Sequence, residues 1–378
     1  MGGHALRKVI ASRIGLLKYN EVKSKLYKQL SSKILLEFLI DVPDKKDFGD
    51  IDILYQSTND TNIIDIIKKT FNPVEIVSNG DVCSFSYQII GDDGEIKYFQ
   101  VDLIKSDNLE MSRFYLSYGD LGGIIGRIAQ YIKLKYGATG LWVCPSSQTI
   151  DRFLNIEQNF EFTNNLKTKL KTQLNCHDLD MIVKAHYSTI VLTSKPKIIC
   201  EYLGLDYNKW IVGFVSKDDI YEWIIESKFF NPDLFKVLDC AGRQRANKRP
   251  MYQDFLQYIF KDEPKFVIEK ANTNKYSNIN LQFEAIEHFF KLKELKDMII
   301  NVSDDLVRKH KFNGGKLIQF GIVDKQIPIC IKEFKKKLGF DTNSNSTNEF
   351  NNWLDLNDLT TIDHVLKNFV DEYMKIHV

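Results

Sequence analysis

No apolar run in this 378-residue sequence approaches the roughly 20 consecutive residues that cross a bilayer, which excludes a simple spanning helix. The opening stretch MGGHALRKVI lacks the apolar centre and cleavage site of a secretory signal and predicts a cytoplasmic protein. An excess of one charge is missing too: 51 Lys and Arg stand against 50 Asp and Glu, a formal net charge of +1. Any nucleic-acid surface must therefore be a local patch rather than a global field. Cys83, Cys144, Cys176, Cys200, Cys240 and Cys330 show no close pairing, which argues against a disulfide framework or zinc site and for reduced, mostly buried thiols. His4, His177, His186, His288, His310, His364 and His377 show no metal-ligand spacing. No Ser/His/Asp or Cys/His set stands out, and no period repeats along the chain.

What is present suffices for a real core: 44% of residues are hydrophobic and 27% charged, in a length that suits two or three domains. Val22, Leu26, Leu30 and Ile34 have helical spacing and predict a helix running toward residue 37. After the turn-rich DVPDKKDFGD comes the short apolar strand IDILY, then a helix in TNIIDIIKKTF. Two β-rich runs flank Gly91, Asp92, Asp93 and Gly94, a strong hairpin signal. From about residue 110 the spacing turns helical, in GGIIGRIAQYIKLKYG, DDIYEWIIESKFF, PMYQDFLQYIF, LQFEAIEHFFKLKELKDMII, PICIKEFKKKLG and TTIDHVLKNFVDEYMKI. Pro250 suits a first helical turn, Ser303 and Thr361 suit N-caps, and DTNSNSTNEFNN reads as a surface loop. The expectation is an α+β protein with a mixed-sheet domain over 1–110, a helical domain over 111–260 and a helical tail over 261–378.

Asp50 and Asp52 sit in GDIDIL inside an apolar strand, a costly place for charge unless it is paired or metal-bound. Alternate strand residues share a face roughly 6 to 7 Å apart, so the two carboxylates project together while Ile51 and Ile53 enter the core. Asp102 in FQVDLI can join them if its strand lies alongside. Three such oxygen donors suit Mg²⁺ or Mn²⁺ shared with substrate phosphates. A solvated strand edge or turn is the plainer alternative for the aspartate pair.

GDIDIL and FQVDLI resemble the aspartate motifs of the nucleotidyltransferase superfamily with the DNA polymerase β-like catalytic fold, over roughly the first third of the chain. The resemblance implies metal-dependent transfer of a nucleoside monophosphate from an NTP, ATP first among them, to an acceptor hydroxyl. Asp50 and Asp52 would hold both metal ions; Asp102 would hold the catalytic one and accept the hydroxyl proton. The family's Gly-Gly at a helix N-terminus, whose amides hold the triphosphate, is matched by Gly2 and Gly3, with Gly49 beside the aspartates. Gly2 and Gly3 can equally belong to a terminus with no such role. The family's helical domain closes the nucleotide cleft, which places Arg127 and Lys133 toward the triphosphate.

Gly119, Gly122, Gly123 and Gly126 superficially match a dinucleotide fingerprint but lack its strand and acid, and read better as glycines that let a helix pack close to the sheet. Arg243, Arg245, Lys248 and Arg249, followed by Tyr252 and Phe255, suit either a single-stranded RNA track or a solvated charged loop. The segment KFNGGKLIQFGIVDKQIPICIKEFKKKLG resembles the RNA-holding tail of CCA-adding and poly(A) polymerases. The expected function is template-independent nucleotidyl transfer to an RNA 3′ hydroxyl. One rival keeps the chemistry with a protein, a small molecule or a second nucleotide as acceptor; the other is a non-catalytic RNA-binding protein.

Overall fold

The computed structural model describes residues 4–56, 62–91, 93–155, 160–174, 189–238, 248–262, 269–270, 278–340 and 346–377. It is an α+β protein with an N-terminal mixed sheet and a helical C-terminal region. Among the described residues no helix is long and apolar enough to cross a membrane. The chain divides into two compact units, Met1–Val143 with Val191–Leu281, and Cys144–Ile190 with Gln282–Val378. This division differs from the one expected at 110 and 260. The chain beyond the sheet stays bound to it: Ser106 N–H donates to the Tyr55 carbonyl, and Tyr118 N–H to that of Ile40.

The first unit begins with β1 (Ile14–Gly15), α1 (Leu16–Leu30), β2 (Leu35–Phe38), β3 (Asp47–Phe48) and β4 (Asp50–Gln56). There follow α2 (Ile63–Phe71), β5 (Ile76–Asn79), β6 (Val82–Ile90) and β7 (Ile96–Lys105). Helix α1 stops at Leu30, short of the expected residue 37. Beyond it Ile34 and Leu36 are buried while Leu35 is 64% exposed, the period of a strand, and β2 pairs antiparallel with β4. The main sheet has the order β2-β4-β7-β6-β5. Strands β4 and β7 are parallel, and β6 and β7 form the expected hairpin. One face packs Phe85, Val101, Leu103, Ile51 and Ile53 against Val22, Leu26 and Leu30 of α1 and Ile67 of α2.

Next come α3 (Leu109–Leu116), α4 (Leu121–Tyr131), β8 (Leu134–Gly137) and β9 (Gly140–Val143). The expected long helix through GGIIGRIAQYIKLKYG ends early because Lys133 takes a left-handed φ of 53°, which breaks the helix before β8. Gly122 gives α4 its close approach: a Cβ there would stand 2.1 Å from the Tyr115 carbonyl oxygen. The glycine thus clears the backbone of α3 rather than the sheet. Further helices of this unit span Pro196–Leu203, Lys217–Ile225 and Pro250–Ile259, the last with Pro250 in its first turn, as expected.

In the second unit, Phe334 lies among Phe312, Phe350, Trp353 and Phe369. Ser303 does not cap a helix; it lies buried in the middle of the helix Leu292–Lys311. The cap of the helix Leu359–His377 is Asp358, whose carboxylate accepts from Thr361 N–H at 2.7 Å. Part of the expected loop DTNSNSTNEFNN is helix Ser346–Leu356; residues 341–345 lie outside the described residues. Cys83, Cys200 and Cys330 are buried free thiols and Cys144 is half-buried, while Cys176 and Cys240 lie outside the described residues.

Candidate functional site

The register of the central strands builds the site. Asp52 of β4 is paired with Asp102 of β7, and Asp50 with Gln100, two residues earlier in the same parallel ladder. Residues two apart share a face, so Asp50, Asp52 and Asp102 project together, opposite the apolar face carrying Ile51, Ile53, Val101 and Leu103. Strand β6 extends both rows, with Ser84 opposite Asp102 and Ser86 opposite Gln100. Ser84, Ser86, Gln100 and Asp102 are all buried. The sequence signal for these extra residues was present in SFSYQ and YFQVD, where polar and apolar residues alternate with period two.

Two of these carboxylates are perturbed, Asp52 and Asp102. Burial, then the charges of Asp50 and Asp102, push the Asp52 carboxyl up to about 7, with Lys45 opposing. Burial also raises Asp102, with Asp50 adding to it; hydrogen bonds from Ser84 and Gln100 pull it back. The Gln100 side-chain amide donates to both Asp102 oxygens, at 3.0 and 2.9 Å. Among the described residues no three His, Cys, Asp or Glu side chains stand grouped so as to hold a metal ion. The donor set nonetheless fits Mg²⁺ or Mn²⁺: hard oxygen ligands on rigid strands, with mutual repulsion that a divalent charge would relieve.

Beside the aspartates opens a cleft of about 620 Å³, walled by α1, β2 and the loop that follows it, with Arg113 of α3. Its cations are Lys23, Lys45, Lys46 and Arg113, and its acids Glu37, Asp41 and Asp44. Burial lowers the Lys23 ammonium, Asp41 opposing and Arg113 adding to the shift. Asp41 accepts from Tyr19 Oη at 2.7 Å and pairs with Lys45 Nζ at 2.6 Å. The charges of Asp50 and Asp52 add to the raising of the Tyr19 hydroxyl, and that of Lys45 opposes the raising of Asp52, so the cleft wall and the aspartate row lie within electrostatic reach of one another. Sequence reasoning missed these residues because they come from separate elements.

The other expected residues are placed differently. Gly49 is buried immediately before β4. Gly2, Gly3, Arg243 and Arg245 lie outside the described residues. Arg127 is buried, and its guanidinium donates to Gln130 at 2.7 Å and to the Leu234 carbonyl at 2.9 Å, which ties α4 to the segment around Leu234. Lys133 supplies the helix stop described above. Lys248 and Arg249 are exposed, but Tyr252 and Phe255 are wholly buried, so the aromatic half of the expected RNA track is absent. In the tail, Asn313 caps the helix Gly314–Gln319 through a hydrogen bond from Lys316 N–H at 3.2 Å. Of its lysine-rich helix, Lys335 lies 4.6 Å over the Phe350 ring and Lys337 pairs with Glu372.

No known protein-family model matches the sequence, and no curated protein matches it. The functional reading therefore rests on the residues of the site.

Proposed function

We propose that this chain is a metal-dependent nucleotidyltransferase that moves a nucleoside monophosphate from an NTP to a hydroxyl, with an RNA 3′ end as first acceptor. The observation that carries this reading is the in-register opposition of Asp52 and Asp102, with Asp50 on the same face, beside a cleft rimmed by Lys23, Lys45, Lys46 and Arg113. Acidic residues alone would repel a polyphosphate; Lys23, Lys45, Lys46 and Arg113, set in the cleft among Glu37, Asp41 and Asp44, would supply the attraction.

Asp50, Asp52 and Asp102 would hold Mg²⁺ or Mn²⁺, which when bound supplies charge to stabilise the acceptor oxygen and the departing pyrophosphate. The cleft's lysines and Arg113 draw in and orient the triphosphate. Asp102 accepts the acceptor's hydroxyl proton as the new bond to the α-phosphorus forms and the bond to pyrophosphate breaks. Its raised proton affinity suits that role, and Gln100 holds the carboxylate in place.

Burial of Tyr252 and Phe255 removes base stacking from the basic cluster, which favours a second reading with a protein or small-molecule acceptor. The test is incubation of the chain with each labelled NTP, Mg²⁺ or Mn²⁺ and cellular RNA, followed by separation of RNA, protein and small-molecule products. Label on RNA, lost in Asp52→Asn, supports the first reading; label on another fraction supports the second. No transferred label with any NTP defeats both.

A further inference from the structure

The residues ahead of β1 do more than lead into the fold. Ala5 N–H donates to Gln100 Oε1 at 2.8 Å. Arg7 N–H reaches both Glu75 carboxylate oxygens, at 3.0 and 2.9 Å, and Lys8 N–H reaches one of them at 2.7 Å. Ser12 N–H then donates to the Tyr98 carbonyl at 2.7 Å. Glu75 is itself fixed: its N–H donates to Ser86 Oγ at 3.0 Å, and Ser86 N–H returns to its carbonyl at 3.0 Å. Asp50, Gln100, Ser86 and Glu75 therefore follow one another across the sheet, and the N-terminal backbone is fastened along this polar row.

Gln100 is the junction. Its carbonyl oxygen is held by Ala5 while its amide nitrogen holds both oxygens of Asp102. The Ala5 bond fixes which end of the amide faces the carboxylate, since an inverted amide would set its oxygen against Asp102. Ser84 also bonds Asp102, so the Ala5 donor bears on the carboxylate through the Gln100 amide alone.

We infer that the segment Ala5–Ser12 is a clasp acting through Gln100, a positioning residue, to hold Asp102 in the geometry that binds a divalent ion. This rests on the metal reading proposed above. Neighbours that orient a metal ligand typically govern 10- to 100-fold in metal affinity, and the clasp places such a neighbour under the control of the N-terminal backbone.

The experiment is Mn²⁺ titration of the full chain followed by electron paramagnetic resonance of the free ion, with thermal unfolding of the metal-free protein alongside. Gln100→Leu, close in size and unable to donate, is expected to weaken Mn²⁺ binding about tenfold. Ala5→Pro removes the N–H that donates to Gln100 Oε1 and is expected to weaken binding in the same direction. The double variant is expected to bind no more weakly than Gln100→Leu alone. If Ala5→Pro fails to fold, Glu75→Ala, which removes the acceptor of the Arg7 and Lys8 N–H groups, replaces it in the same comparison. Wild-type-like Mn²⁺ binding by Gln100→Leu, or additive losses in the double variant, overturns the clasp; with binding still lost in Asp52→Asn, the metal site itself stands. Absence of Mn²⁺ binding by the wild type, or unchanged binding in Asp52→Asn, removes the metal site and the clasp together.

Discussion

The Tyr19 ring lies flat against Phe48, centroids 3.8 Å apart and planes 17° from parallel. That stack aims its hydroxyl at Asp41, 2.7 Å away, so one side chain serves both the core and the wall of the cleft. Tyr19→Phe keeps the stack and loses one hydrogen bond, so it should destabilise by about 0.5–1.5 kcal/mol. Tyr19→Ala loses the ring and should destabilise by about 3–5 kcal/mol. Denaturant midpoints separate the two; equal losses would mean that the ring contributes nothing beyond its hydroxyl.

Asp52 gives the metal-free protein a definite pH dependence. Its carboxyl lies at about 7 in the fold against an ordinary value of 3.8. Below the ordinary value both folded and unfolded chains keep the proton, and the group leaves stability unchanged. Between the two values the unfolded chain loses its proton more readily, so stability falls as pH rises, and above about 7 the loss is constant. Asp52→Asn should therefore gain stability over the wild type progressively as pH rises from 3.8 to about 7 and hold that gain above it, and Mg²⁺ should stabilise the wild type more above that window than below it. Parallel pH profiles for variant and wild type would rule this out.

Gly122→Ala tests the contact between α3 and α4. The added carbon meets a backbone carbonyl, which cannot swing aside as a side chain can. We expect a loss of about 1–3 kcal/mol, read from thermal or denaturant unfolding. A neutral result would show that the helices separate freely.

Lys248 and Arg249 are exposed at the start of the helix Pro250–Ile259. If they contact RNA phosphates, the double alanine variant should flatten the log-log dependence of single-stranded RNA affinity on salt by about 0.7 per contact. Mn²⁺ binding should stay unchanged, because neither residue belongs to the carboxylate row. An unchanged salt slope would reduce the pair to solvated charges.

The aspartate face was legible in the sequence because strand parity is local: once IDILY is a strand, Asp50 and Asp52 must share a side. The pairing of Asp102 was legible as far as its hairpin, and the ladder supplied the register. The end of α1 was not legible, because Ile34 continues the helical spacing, and only pairing with β4 makes β2 the better partner for Leu36. Lys23 and Arg113 were invisible as a pair because they lie on helices that tertiary packing brings together. Tyr252 and Phe255 have the composition of a stacking surface, and only the packed helix shows that both rings face inward.

The parallel pairing of β4 with β7 also has a consequence for how the chain acquires its fold. Helix α2 and the strands β5 and β6 all intervene between the two, so Asp52 meets Asp102 only through a long-range closure, the slow kind of step in folding. As the chain leaves the ribosome, β4 emerges with β2 as its only available sheet neighbour and keeps one open edge until β7 arrives. That edge presents unpaired backbone groups ready to pair with another chain. Asp50 and Asp52, both on that strand, are charges that discourage such pairing during the wait.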